Sequence, residues 1–195
     1  MSPRWERLEH NWVYGGLLAA PVLVVLLFAI GHEWAVWQVC AWLALPVYML
    51  HQYEEHDGDR FRLFVNDALC DGREALSWLD VWVINVVFVW FLLAITTTLA
   101  FRVDPDFALV GAYLLLINGV AHVGMVAALR RSNPGVWTGV LLFIPLGAAT
   151  IWALRDAGAA SALGHTLACA TVVALHAGIV VRARLRLRSE SARDA

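Results

Sequence analysis

Long apolar stretches separated by short polar breaks run along the chain from Trp12 to Val181. A membrane-spanning helix needs about 17–25 mostly apolar residues, and the pattern predicts six, near 13–31, 35–53, 78–101, 107–129, 136–154 and 162–182. Gly31-His32-Glu33, Asp104-Pro105-Asp106, Asn133-Pro134-Gly135 and Asp156-Ala157-Gly158 carry the turn and cap chemistry that divides one helix from the next, with Pro105 and Pro134 suited to opening the helix that follows. The one longer connection, Phe61 to Trp78, has Phe61, Phe64, Val65 and Leu69 at i, i+3, i+4 and i+8. That spacing predicts an amphipathic helix lying along the membrane interface, as a connector or as a lid. The expected fold is therefore an all-α polytopic membrane helix bundle, a single integral membrane domain over residues 1–195.

Composition strengthens this picture. Of 195 residues, 61% are hydrophobic and 15% charged, with a mean hydropathy of +0.66, outside the range of an ordinary soluble domain. The first apolar run is followed by further spans rather than by a cleavage site, so it is expected to be a transmembrane helix and not a secretory signal. Cys40, Cys70 and Cys169 are isolated and predict neither a disulfide framework nor a thiolate metal site; they are expected to pack as small apolar residues.

Charge adds an orientation. All fourteen basic residues are arginine, and twelve fall on one side of the predicted spans, leaving only Arg102 and Arg155 on the other. The positive-inside rule then puts both termini in the cytoplasm, as an even number of spans requires. The expected location is an integral protein of the bacterial inner (plasma) membrane. Trp12, Trp34, Trp37, Trp78, Trp82, Trp137 and Trp152 lie near span ends, where interfacial anchors belong. Arg182 to Arg188 opens a basic tail, 183–195, that stops transfer and meets anionic lipid heads; so short a juxtamembrane segment argues for no nucleic acid as partner.

This topology gathers polar residues into one layer. The second span ends at the cytoplasmic side in His51-Gln52-Tyr53-Glu54-Glu55-His56. Asn85 on the third span, Asn118 and His122 on the fourth and His176 on the sixth fall near the same depth, at about 1.5 Å of rise per residue. His51 shares a helix face with Glu54 (i+3) and Glu55 (i+4), and Asn118 shares one with His122 (i+4). Gly111, Gly119 and Gly124 would let neighbouring backbones approach closely. Ionisable groups inside a bilayer are costly and usually serve function. Imidazole nitrogen with carboxylate oxygen suits zinc, iron or manganese. His51, Glu55, His122 and His176 are the candidate metal ligands, Glu54 and Glu55 the candidate catalytic carboxylates, and Asn85, Asn118 and His56 the supporting polar groups. His32 and His165 fall at the opposite face, and His10 precedes the first span with no evident partner.

Several familiar patterns are missing. Gln52 after His51 excludes H-E-x-x-H, Glu55 stands where H-x-x-E-H needs its second histidine, and paired E-x-x-H repeats, G-x-S-x-G and a phosphate-binding glycine loop do not occur. His51-Gln52-Tyr53-Glu54-Glu55, the pair Asn118 and His122, and the following "RRSNPGVWTGVLLFIPL" instead resemble the HXXEE-domain family of small multi-spanning membrane proteins, over about Leu45 to Val181. The resemblance implies importance for His51, Glu54 and Glu55, then for Asn118 and His122. It implies no substrate.

The residues favour a membrane-embedded, metal-dependent enzyme, a hydrolase or an oxidoreductase, open to the cytoplasmic leaflet and acting on a lipid or other amphiphile. In that expectation one glutamate joins the histidines on the metal and the other is the general base for water or oxygen chemistry. The alternative is a proton-coupled carrier or ion-binding membrane protein without catalysis. The fifth span weakens it, since Thr138 and Thr150 are that span's only polar side chains besides tryptophan. A scaffold role, with the polar layer facing a partner, is a third reading.

Overall fold

The computed structural model describes residues 3–191, and among them every regular element is a helix. The long helices are α1 (Pro3–Ile30), α2 (Val36–His56), α4 (Trp78–Arg102), α5 (Pro105–Leu129), α6 (Val136–Asp156) and α7 (Ala162–Ser191), with the short α3 (Arg60–Ala68) between α2 and α4. Arg193 and the end of the expected basic tail lie outside the described residues.

Five helices, α1, α4, α5, α6 and α7, are long and apolar enough to cross a membrane. The remaining expected span, α2, is long enough, at 21 residues or about 31 Å, but more polar, because His51, Gln52, Glu54, Glu55 and His56 occupy its final turns. Packing explains how it tolerates them: α2 is wrapped by α1, α4, α5 and α6. The outer helices turn large apolar side chains outward, Phe28, Phe88, Phe91, Leu141 and Leu167 among them, which is the surface that lipid contact calls for.

Local chemistry sets most boundaries. Ser77 and Asp80 cap each other's backbone N–H groups at the start of α4, a reciprocal capping box. Asp104 accepts from the Asp106 N–H ahead of α5, with Pro105 in its first turn. Pro134 does not open α6 as expected; it stays in the turn before Gly135, and the helix starts at Val136. The amphipathic helix expected to reach Trp78 stops at Ala68. Asp71 and Gly72 take positive φ there, and Asn66 holds the returning chain by bonding both the N–H and the carbonyl of Leu76, each at 3.0 Å.

The core under the polar end of α2 is Ala44, Tyr48, Leu93, Leu115 and Phe143. Gly119 is a close-approach position, since a β-carbon there would lie 2.9 Å from the Gly139 carbonyl oxygen. Gly124 faces open space, so its expected role in packing is not borne out. Trp137 and Trp152 are exposed as anchors should be, but Trp12 is buried and packs on His56 and Trp90. His10 has a partner after all, with its ring centroid 4.0 Å from that of Trp78.

Candidate metal centre

The last two turns of α2, the last two turns of α5 and the first turn of α6 meet at one end of the bundle. His51, Glu55 and His122 are all buried, and one ligand atom from each lies within 4.8 Å of the others. Glu55 bridges the histidines: Oε1 is 3.0 Å from His122 Nε2 and Oε2 is 3.4 Å from His51 Nε2. Two ligands each about 2.0–2.1 Å from a single ion, at right-angle to tetrahedral spacing, stand about 2.8–3.4 Å apart. His51 Nε2 has no hydrogen-bond partner despite complete burial. Two imidazole nitrogens and a carboxylate without thiolate form a donor set suited to zinc, iron or manganese. This buried group could hold a metal ion.

The far side of each histidine is also engaged. His51 Nδ1 lies 2.7 Å from Thr138 Oγ1. His122 Nδ1 lies 2.6 Å from Asn133 Oδ1, and Asn133 Nδ2 donates to the His122 carbonyl at 2.9 Å. Glu54 points away from the convergence: Oε1 accepts from the Trp137 N–H at 3.2 Å, and Oε2 from the Thr138 N–H at 2.7 Å and the Thr138 hydroxyl. Its carboxylate thus satisfies free N–H groups at the start of α6, as an acidic group does at a helix N-terminus.

A glycine closes the site. Gly135 has φ +93°, and a β-carbon on it would lie 2.7 Å from Glu55 Cγ, 2.7 Å from His122 Cε1 and 2.9 Å from His51 Cε1. Only a residue without a side chain can lie over the cluster in this backbone state. Phe143 packs against the His51 ring, with centroids 4.0 Å apart, and Phe61 of α3 flanks His122 and His56. Arg131 stacks over Phe64, tying the turn after α5 to α3.

The supporting residues divide. His56 Nε2 is 3.3 Å from Glu55 Oε2 and 3.3 Å from Asn85 Nδ2. Asn85 belongs to a chain in which Trp90 Nε1 donates to Gln52 Oε1 and Gln52 Nε2 donates to Asn85 Oδ1. Asn118 lies deeper and donates to the Tyr48 hydroxyl at 3.1 Å. His176 is not brought into the group of three; its Nδ1 bonds the Val172 carbonyl of its own helix at 2.9 Å. Beyond it, Arg182 and Arg186 pair with Asp80, and Arg186 also with Glu74.

Sequence reasoning did not pick out Thr138, Asn133, Gly135 or Gln52 as parts of the site. The visible signal for three of them was the "NPGVWTG" context, whose Asn133-Pro134-Gly135 reads as a helix break and which also carries part of the family resemblance. A family model described as "Protein of unknown function with HXXEE motif" matches residues 42–150. The matched segment holds all the residues around the three-ligand group and ends before His176, short of the Val181 expected from the resemblance. No curated protein and no solved structure matches the chain.

Proposed function

Because the chain belongs to the HXXEE family, whose function is unknown, we propose a role from the site itself: a membrane-embedded, metal-dependent enzyme acting on a lipid or other amphiphile. The convergence of His51 Nε2, His122 Nε2 and the Glu55 carboxylate in a buried space carries this reading. Zinc, iron or manganese is the metal class. Such an ion supplies Lewis acidity toward water or a substrate oxygen, or a redox centre for oxygen chemistry.

The chain's own residues do the rest. His51, Glu55 and His122 hold the ion, and Phe61, Phe143 and the Gly135 turn keep bulk water away. Since His51 is 0% and His122 2% exposed, a substrate reaches the ligands only when Phe61 or the Asn133-Pro134-Gly135 turn moves. His56, beside Glu55 and with its Nδ1 buried and unpartnered, is placed to take up or return a proton. The arginine distribution supports assigning this end of the bundle, with both termini, to the cytoplasmic leaflet, where the reacting group of an amphiphile would lie near the headgroups.

The competing occupant is a proton shared between Glu55 and His122, favoured by their 3.0 Å separation, and it would make the site an ion-handling or proton-coupled one. Metal content of the detergent-purified protein separates the two. Near-stoichiometric zinc, iron or manganese in the wild type, lost in both His51→Ala and His122→Ala, is the expected result. A folded wild type that takes up no metal on reconstitution would overturn the metal reading in favour of the proton.

A further inference from the structure

We infer that Thr138 and Asn133 are positioning residues that set His51 and His122 in the same tautomer, protonated on Nδ1. Glu54, the first glutamate of the motif, then acts on His51 through Thr138 rather than on substrate. The inference rests on the metal reading above and assigns what surrounds the ligands.

Proton counting carries it. A threonine hydroxyl has one proton to give, and an ionised carboxylate only accepts. Thr138 donates that proton to Glu54 Oε2. Giving it to the Gly135 carbonyl at 3.4 Å would use the same proton, and giving it to His51 Nδ1 would leave Thr138 Oγ1 and the Glu54 carboxylate oxygen 2.5 Å apart with no hydrogen between them. With the proton on the Glu54 side, Thr138 Oγ1 turns a lone pair toward His51 Nδ1, 2.7 Å away, and the hydrogen on that line belongs to the imidazole. Glu54 is itself held by the Trp137 and Thr138 N–H groups, so the direction of the relay is fixed from the backbone outward.

The second histidine obeys the same logic by a different route. The Asn133 amide is oriented by its Nδ2 donating to the His122 carbonyl. Its Oδ1 therefore faces His122 Nδ1 at 2.6 Å, and an amide oxygen accepts only, so this proton too is on Nδ1. In the neutral form of each ring, Nε2 then turns a lone pair toward an oxygen of Glu55. Lone pairs facing a carboxylate repel unless a metal ion or a proton stands among them, and on the metal reading the ion fills that place. Histidine ligands that give their other N–H to an outer acceptor are the usual way a protein fixes such a set.

The same counting explains the spacing of the motif. From His51, the residue three places on reaches the partner of Nδ1 at the start of α6, and the residue four places on reaches the side of Nε2. One glutamate thus serves each ring nitrogen.

The test uses 15N-histidine NMR of the full-length protein in nanodiscs, with ring signals assigned by their loss in His51→Gln and His122→Gln, alongside zinc titration. In metal-free wild type both rings are expected to show the Nδ1–H pattern. Thr138→Val is expected to abolish that pattern at His51 alone and to weaken zinc binding about 10–100-fold, while Thr138→Ser restores both. Asn133→Ala should do the same at His122 alone. A wild type with Nε2–H rings, or a folded Thr138→Val with unchanged tautomer and zinc affinity, overturns the inference even if zinc binds. Nδ1–H rings in a protein that takes up no zinc would instead sink the metal reading and leave the positioning roles standing.

Discussion

The two ends of the bundle both carry polar side chains, but they use them differently. At the end holding Arg102 and Arg155, Asp106 accepts from the Ser161 N–H and hydroxyl, Ser161 accepts from the Gly164 N–H, and the Tyr113 hydroxyl meets His165 at 2.9 Å. These groups are exposed or half-buried, and each closes a helix end or a helix pair. At the other end, His51, Glu55 and His122 are buried, their outer atoms are satisfied by Thr138 and Asn133, and their inner atoms face each other. A polar residue at a helix end is ordinary; a set whose donor atoms converge in a buried space, with His51 Nε2 left without a hydrogen-bond partner, calls for a ligand.

Changes at the two ends should therefore separate. The largest effect is expected for Glu55→Gln, which removes the only anionic ligand: bound metal should fall below detection in plasma mass spectrometry. Glu54→Gln should keep the metal and weaken it by about tenfold, because the loss is outside the ligand set. Equal effects at the two glutamates would erase the distinction between them.

Gly135→Ala and Gly158→Ala place the same methyl group at positive φ on opposite ends. At Gly158, φ is +62° and nothing lies within 4 Å of the added carbon, so thermal unfolding in detergent should report only the left-handed strain, about 1–2 kcal/mol. At Gly135 the clash with Glu55, His122 and His51 adds overpacking, for a total of about 2–5 kcal/mol, together with loss of metal. Equal destabilisation at both positions would mean that the Gly135 turn does not rest on the cluster.

Tyr113→Phe should give the smallest effect. It deletes the bond to His165 and is expected to lower stability by about 0.5–1.5 kcal/mol, with metal content unchanged. A change in bound metal would show that the two ends communicate.

Much of the fold was legible because bilayer-scale hydrophobic runs are a one-dimensional signal. The helices α4, α5 and α6 lie within about two residues of the apolar runs, whereas α1 begins at Pro3 and α7 continues to Ser191, each about ten residues beyond its run, and the breaks at Asp104 and Asp156 fall where turn residues predict. The limit appeared wherever a boundary depended on a contact. Periodicity carried the amphipathic helix to Trp78, but Asn66 and the turn at Asp71 and Gly72 end it at Ala68. Trp12 reads as an anchor from its place near a span end, yet it packs inward on His56.

The site was half legible in the same sense. His51, Glu55 and His122 stood out as ionisable residues at one predicted depth, and depth follows from rise per residue alone. Depth did not distinguish them from His176, since which way a helix faces depends on its neighbours, and His176 turns back to its own Val172 carbonyl. Nor did it separate the two glutamates. Sequence determined that α2 ends in imidazoles and carboxylates within an apolar bundle. Only the packing of α5 and α6 against α2 decided that Glu55 faces the histidines and Glu54 faces Thr138, because a hydrogen-bond partner far along the chain is a property of three-dimensional contact and not of spacing.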